Sequence, residues 1–481
     1  MLGRRALLEI LALAALPAGM THAAPAAPLP GDPSPAWPRT LTARTEMAVQ
    51  VVDFGWTRDR AMFCTGGPDG AVTNEIHTLE SSAHHVRFRF HNGLRTGWTI
   101  SGASYAPTAV AQGNPVDTAG TPLTPRPVTF GNAGRDLSLA EQRAAPAATA
   151  PAVIARALDL PPAGDAPTGG PDPAYGDPPA IVFSDWMPLD PVARADGQPG
   201  ALVMLRVRTP SPRFTGIQPT YLHDERFFAG TAARPWRALF LRGDGGTADY
   251  LAAPAVTDPQ PLRDYLGNGL CCGVQWLGGQ PGLTLVSVGD SILMGGGEPL
   301  GYLGPLRRAA DRLGTPERPV SHIAAAIFGC PSIGFLAAGR DAIRTNRTSC
   351  AFVQVWSGND PQTVDASRAA CNAAVDFAQH CIRQGVTPVL CSPAPRPTSS
   401  GTPELEAVRL WSMPLLRGLA AQGVPFLDID AIVGDGAANG RFTRFRPDLA
   451  AADDIHPNSA GNILLADAAL SILRDMRVVV E

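Results

Sequence analysis

From about residue 45 to residue 250, apolar side chains come in short runs. EMAVQVVDF (46–54), HHVRFRFHN (84–92), GWTISGASY (97–105), PVTFG (127–131), AIVFSDW (180–186), ALVMLRVRT (201–209) and RALFLRG (237–243) are rich in β-branched and aromatic residues, and several alternate apolar with polar positions. A period of two sends one face of a strand to a core and the other to solvent. Gly, Pro, Asp and Asn separate the runs, and helical spacing shows only weakly, near DLSLAEQRAA (136–145). The pattern predicts an all-β domain over 43–274, a sandwich or jelly roll. Within it the Ala/Pro/Gly-rich stretch 143–179 is too long for an ordinary turn and reads as a loose insertion.

Past about residue 275 the period changes. Continuous apolar runs now alternate with helical segments: LTLVSVG (283–289) then 300–314, SHIAAAIFG (321–329) then 333–345, AFVQVWSG (351–358) then 364–384, VTPVLCSP (386–393) then 403–422, and PFLDID (425–430) before a last helix at 458–475. Apolar strands separated by amphipathic helices specify a parallel sheet covered on both faces. Residues 275–481 are therefore expected to form a three-layer α/β/α domain on five parallel strands. Ligands of such sheets bind at the carboxyl ends of the strands. No internal repeat is present.

Length agrees with two large domains, because 481 residues exceed one ordinary core. The net charge of −4 and the lack of a Lys/Arg-rich block argue against a nucleic-acid partner. No stretch of the mature chain is long and apolar enough to be read as a transmembrane segment. Arg4 and Arg5 precede the mostly apolar ALLEILALAALPAGM and the small-residue stretch THAAPAAP. This is the layout of a signal peptide over 1–24, with a cleavage position after Ala23 and an Ala/Pro-rich, disordered leader over 25–42. A secreted or periplasmic location follows. Cysteines at 64, 271, 272, 330, 350, 371, 381 and 391 lack zinc-site spacing, and in an oxidising compartment they are expected to form disulfides of unassigned pairing.

Four polar positions fall where the strands of the second half end. Ser291 follows the first strand, Gly329 the second and Asn359 the third, while Asp453 and His456 precede the last helix. A serine hydroxyl needs a neighbouring base to become a nucleophile. His456 is the candidate base, and Asp453, three residues before it, can hold the ring through Nδ1 and leave Nε2 for the serine. Asp454 is a rival orienter. Attack on an ester carbonyl creates an oxyanion, for which the backbone N–H groups of Ser291 and Gly329 and the amide of Asn359 are candidate donors. Gly334 is a weaker rival for the glycine role. His322, His380, His84 and His85 read as structural, and His223 as a residue that could reach the site from the first domain. The glycines 295–297 lack the lysine and spacing of a phosphate loop and read as a flexible segment interrupting the first helix.

VGDSILMGGG, AIFGCPSIG, VWSGND and DDIHPN, in that order, resemble the four sequence blocks of the SGNH hydrolases, also called the GDSL esterase/lipase family. The resemblance covers roughly 280–475 and implies a flavodoxin-like sheet of five parallel strands. It also implies Ser291 as nucleophile, Gly329 and Asn359 as oxyanion donors, His456 as base and Asp453 as its partner, with no metal or organic cofactor. The chain departs from the family at Ile292, where leucine is usual, at the residue before Gly329, where asparagine is frequent, and at Asp454, where a small residue is common. The β-rich half is similar to the β-sandwich that precedes the hydrolase domain in some secreted bacterial members. The expected activity is hydrolysis of esters of small acyl groups, with acetylated polysaccharide the expected substrate. Two rival readings are an acyltransferase using the same triad and a carbohydrate-binding envelope protein with a vestigial one.

Overall fold

The computed structural model describes residues 37–50, 71–92, 98–111, 114–132, 134–144, 158–160, 180–209, 237–242, 251–253, 260–261, 271–298, 303–327, 329–395, 402–436 and 444–481. The expected signal peptide, His223, Cys64 and most of the 143–179 stretch lie outside them. In the strand-rich half we label β1 (Thr40–Gln50), β2 (Ala71–Leu79), β3 (Ala83–Asn92), β4 (Gly102–Thr108) and β5 (Ala201–Thr209). From Cys271 onward the strands are β6 (Cys271–Gly289), β7 (Val320–Ala326), β8 (Cys350–Gln354), β9 (Thr387–Cys391), β10 (Phe426–Leu427) and β11 (Arg477–Val480). Among them run helices α1 (Ser291–Met294), α2 (Pro305–Leu313), α3 (Ser332–Thr345), α4 (Val364–Arg383), α5 (Pro403–Ala421), α6 (Ile429–Val433) and α7 (Ser459–Arg474).

The five expected parallel strands pair in the order β7–β6–β8–β9–β10, with Leu285 of β6 opposite both His322 and Cys350. Apolar side chains leave both faces of this sheet. On one face Val286, Val288 and Val353 pack against Phe335 and Leu336 of α3 and Phe377 of α4. On the other, Leu285 and Phe352 meet Leu306 of α2 and Leu465 and Leu473 of α7. These are the three expected layers, and they set the carboxyl ends of β6, β7 and β8 along one edge.

The sheet is not wholly parallel, and it is larger than expected. β1 runs antiparallel to the first half of β6 and parallel to β11, and β3 runs antiparallel to that same first half. With two short strands beside β3, these additions make a ten-stranded mixed sheet. The first residues of β1 were expected in a disordered leader, but Thr40 to Ala43 instead pair with Arg477 to Val480, and the Trp37 indole donates to the Pro388 carbonyl at 2.9 Å.

The β-sandwich expected as a separate unit over 43–274 does not form as one. β2, β4 and β5, with Arg237–Arg242, belong to a six-stranded antiparallel sheet. Its inner face, with Val203, Leu205 and Val207, packs on Phe88, Phe90, Val274 and Trp276 of the large sheet. One layer is therefore a continuation of the parallel sheet. The physical reason is β6, which stays extended for 19 residues and crosses the expected boundary at 274/275. Its Gly-Gly-Gln-Pro-Gly stretch looks like a turn. Here it shifts the register against β1 between Arg44 and Glu46 without ending the strand.

The expected disulfides are also corrected among the described side chains. Cys350, Cys371, Cys381 and Cys391 are free thiols and buried. Burial pushes the thiols of Cys371 and Cys381 up to about 12, so they stay protonated and behave as small apolar groups.

Candidate active site

The chain leaves β6 through Gly289-Asp290-Ser291, and each residue has a local reason to be there. A Cβ on Gly289 would lie 2.7 Å from Gln354 Oε1 and 2.8 Å from Leu293 Cδ1, so only glycine admits this close approach. Asp290 caps α1 by accepting from the Ile292 N–H at 2.9 Å. Gln354 grips it from β8, accepting from the Asp290 N–H at 3.1 Å and donating from Nε2 to Asp290 Oδ2 at 2.9 Å. Ile292, Leu293 and Met294 are buried and fasten the turn to the core. Ser291 is thus held rigidly at the sheet edge. The helix it opens is only four residues long, because Gly295 ends it with a φ of 104°. The dipole support expected from a longer helix is correspondingly small.

Asp453 and His456 reach this serine from the loop before α7. His456 Nε2 lies 2.7 Å from Ser291 Oγ, and His456 Nδ1 lies 2.7 Å from Asp453 Oδ2. The other carboxylate oxygen of Asp453 accepts from the Ile455 N–H at 3.0 Å and the His456 N–H at 3.1 Å, which fixes the carboxylate before it meets the ring. Of the two aspartates, Asp453 and not the rival Asp454 is the one bonded to the imidazole. Asp454 takes a left-handed φ of 57°, and its N–H donates to the Ala451 carbonyl at 3.0 Å. Asn458 caps α7 through the Gly461 N–H at 3.0 Å and donates to the carbonyls of Asp448 and Ala450, tying the loop down behind the histidine.

The oxyanion candidates also converge on this edge. The Ile327 N–H donates to the Gly289 carbonyl at 2.9 Å, which sets the end of β7 beside the turn. Gly329 follows, exposed and with a φ of 64°, a conformation that favours glycine. A glycine at such a place can serve either close backbone approach or a left-handed φ. Among the described residues no atom lies within 4 Å of where its Cβ would be, so the backbone angle is the reason. The N–H of the rival Gly334 donates to the Pro331 carbonyl at 3.0 Å. Asn359 is exposed, and its Nδ2 lies 3.5 Å from the carbonyl oxygen of Cys330, the residue after Gly329.

Sequence reasoning missed the floor beneath the histidine. Glycines 295–297 were read as a flexible segment, but they are packed. A Cβ on Gly296 would lie 2.3 Å from His456 Cδ2, and one on Gly297 would lie 2.5 Å from the Pro457 carbonyl oxygen. The next residue, Glu298, is buried. Its Oε1 accepts from Arg308 Nε at 3.1 Å and Nη2 at 2.9 Å, and its Oε2 accepts from Ser459 Oγ at 2.9 Å. This carboxylate ties the glycine turn to the first residue of α7, just behind His456. The available signal was an acid, Glu298, placed directly after three glycines.

Burial pushes the Asp453 carboxyl up, but bonds from the His456 ring and from the Ile455 and His456 N–H groups outweigh it and hold the group below the usual carboxylate range. Its stabilising contribution is therefore complete above the ordinary carboxylate pKa of about 4 and is lost as pH falls through the lower folded-state value. The difference in Tm between the wild type and Asp453→Asn should be constant from about pH 7 to pH 5 and should narrow below about pH 4. A gap that persists unchanged in acid contradicts this. His322, His84 and His85 sit on strands as expected. His322 Nε2 lies 3.1 Å from Ser287 Oγ, and His84 Nδ1 lies 2.8 Å from His85 Nδ1. Among the described residues no group of three or more His, Cys, Asp or Glu could hold a metal ion, and no helix is long and apolar enough to cross a membrane.

No protein-family model and no curated protein matches the chain. Several solved structures are similar to about two-fifths of it. A member of the lipolytic protein G-D-S-L family from Veillonella parvula is 17% identical over 39% of this chain and 97% of its own, with a TM-score of 0.31. The lipase/acylhydrolase from Enterococcus faecalis is 15% identical over 40% of this chain and 97% of its own, with a TM-score of 0.30. An acetyl-xylooligosaccharide esterase from Geobacillus is 18% identical over 40% of this chain and 94% of its own, with a TM-score of 0.31.

Proposed function

We propose that this chain is an exported serine esterase of the SGNH type that removes small acyl groups, acetyl above all, from carbohydrate. The observation that carries the reading is the continuous relay from Asp453 through His456 to Ser291, two contacts of 2.7 Å each. In this mechanism His456 Nε2 takes the Ser291 proton as Oγ attacks the ester carbonyl. Asp453 accepts from Nδ1–H and stabilises the imidazolium that forms. The N–H groups of Ser291 and Gly329 and the Asn359 amide receive the oxyanion. The imidazolium returns its proton to the departing alcohol, leaving an acyl-serine. Water, deprotonated by the same imidazole, then releases the acid and restores Ser291.

Exposure supports a bulky alcohol and a small acyl group. Gly329, Asn359 and Asp453 are all exposed, so the edge where the alcohol arrives is open, while Ser291 is 7% exposed. Export belongs to the same proposal, on the strength of Arg4, Arg5 and the apolar run after them. A series of p-nitrophenyl esters tests the reading. The expected result is a kcat/KM highest with acetate that falls as the acyl chain lengthens to octanoate. A maximum at octanoate overturns the small-acyl assignment, and a folded protein that turns over none of them overturns the esterase. Turnover that appears only when a sugar acceptor is added would favour the transferase.

A further inference from the structure

We infer that Ser357 is a positioning residue that locks the nucleophile turn and the oxyanion amide of Asn359 to each other, an assignment that rests on the esterase reading. Ser357 lies just past the end of β8 and is 1% exposed. Its hydroxyl has one proton and two lone pairs, and all three are engaged. The proton goes to Asp290 Oδ2 at 2.6 Å, since a carboxylate oxygen can only accept. The lone pairs receive the Asn359 backbone N–H at 3.0 Å and Asn359 Nδ2–H at 3.0 Å. Asp290 is the same residue whose Oδ1 caps the turn that carries Ser291. A single hydroxyl thus spans the gap between the attacking oxygen's support and the group that receives the negative charge.

The hydroxyl is itself fixed from below. The Ser357 N–H donates to Asp360 Oδ2 at 2.8 Å, and Asp360 Oδ1 accepts from both the N–H and the hydroxyl of Ser332, at 2.8 and 2.9 Å. Ser332 is the first residue of α3, three residues after Gly329. The buried serine therefore links the ends of β6 and β8 with the segment that carries Gly329.

The amide geometry gives this link its consequence. The two Nδ2 protons of asparagine lie in one plane, so pinning one of them to Ser357 sets the direction of the other. That second proton has only a 3.5 Å approach to the Cys330 carbonyl, too long for a good bond. It can pass to a developing oxyanion with little lost. Without the Ser357 hydroxyl, the exposed Asn359 side chain is free to turn, and Asp290 loses one of the donors that hold it.

A double-mutant cycle on p-nitrophenyl acetate tests this, using Ser357→Ala, Asn359→Ala and both together, with Ser357→Thr as the conservative variant. Asn359→Ala should lower kcat by about 10²–10³, the usual cost of one oxyanion donor. Ser357→Ala should lower kcat by about ten- to a hundredfold with KM nearly unchanged, because the lost alignment matters only in the transition state. The double variant should be little slower than Asn359→Ala alone, and Ser357→Thr should keep most of the activity. If the two losses multiply in full, or if Ser357→Ala raises KM and leaves kcat alone, Ser357 is only structural and the inference is overturned. If Asn359→Ala leaves kcat unchanged while the wild type is active, the oxyanion assignment fails instead. An inactive wild type sinks the esterase reading itself. Should Ser357→Ala not fold, Ser357→Cys keeps the volume with a weak donor and closes the same cycle.

Discussion

Ser291→Ala and His456→Ala are each expected to lower kcat/KM for a short-chain ester by about 10⁴-fold or more, and the double variant should be no slower than the worse single one. The reason is that the two side chains act as one unit. The hydroxyl is a weak nucleophile until Nε2, 2.7 Å away, takes its proton, and the imidazole has no reaction to serve without the hydroxyl. Folding should survive both changes, because the core clusters on either face of the sheet do not include these side chains. Steady-state kinetics on the three variants, with melting curves as a fold control, check the expectation. Losses that multiply in the double variant would mean that the residues act separately.

A second large effect is expected at a residue with no side chain. Gly296→Ala should lower kcat/KM by about 10²-fold or more, because a 1 Å misplacement of a catalytic group can cost that much. Its Cβ would stand 2.3 Å from His456 Cδ2 and 2.8 Å from Nε2, closer than real contacts allow. The backbone cannot retreat easily, because the Gly296 N–H donates to the Ser291 carbonyl at 2.7 Å. The ring is held from its other side by Asp453, so it must rotate or lift, and Nε2 leaves the serine. Gly418→Ala is the matched control. Within α5 its Cβ would meet nothing within 4 Å, and it should leave activity unchanged while stabilising the helix by about 0.5–1 kcal/mol. Equal activity of the two variants would show that the glycine floor does not position His456.

Much of the parallel sheet was legible because its longer strands are buried on both faces and read as apolar runs. The helices between them carry their own period and, for α4 and α7, caps at Thr363 and Asn458. Ser291 and Asn359 could be located because topology puts residues that follow parallel strands at one edge, whereas His456 reaches that edge from the loop before α7. The strand-rich half was harder to read. β2 contains Asn74, Glu75 and His77, all buried, so its polar letters hide a strand that is interior on both faces. The partners of β1 could not be inferred, since Thr40–Ala43 join Arg477–Val480 from the far end of the chain. The glycine turn was misread for a related reason. Glycine reports that a side chain is absent, but not whether the space among the described residues is open, as at Gly329, or filled by an imidazole, as at Gly296.

The most direct test of the central claim is covalent labelling of the folded full-length protein by a serine-directed fluorophosphonate, followed by mass spectrometry of the intact chain and its peptides. The account predicts one adduct, on Ser291, that forms in the wild type and is lost or greatly slowed in His456→Ala. Absence of any adduct on the folded wild type, or an adduct on a different serine, would contradict it.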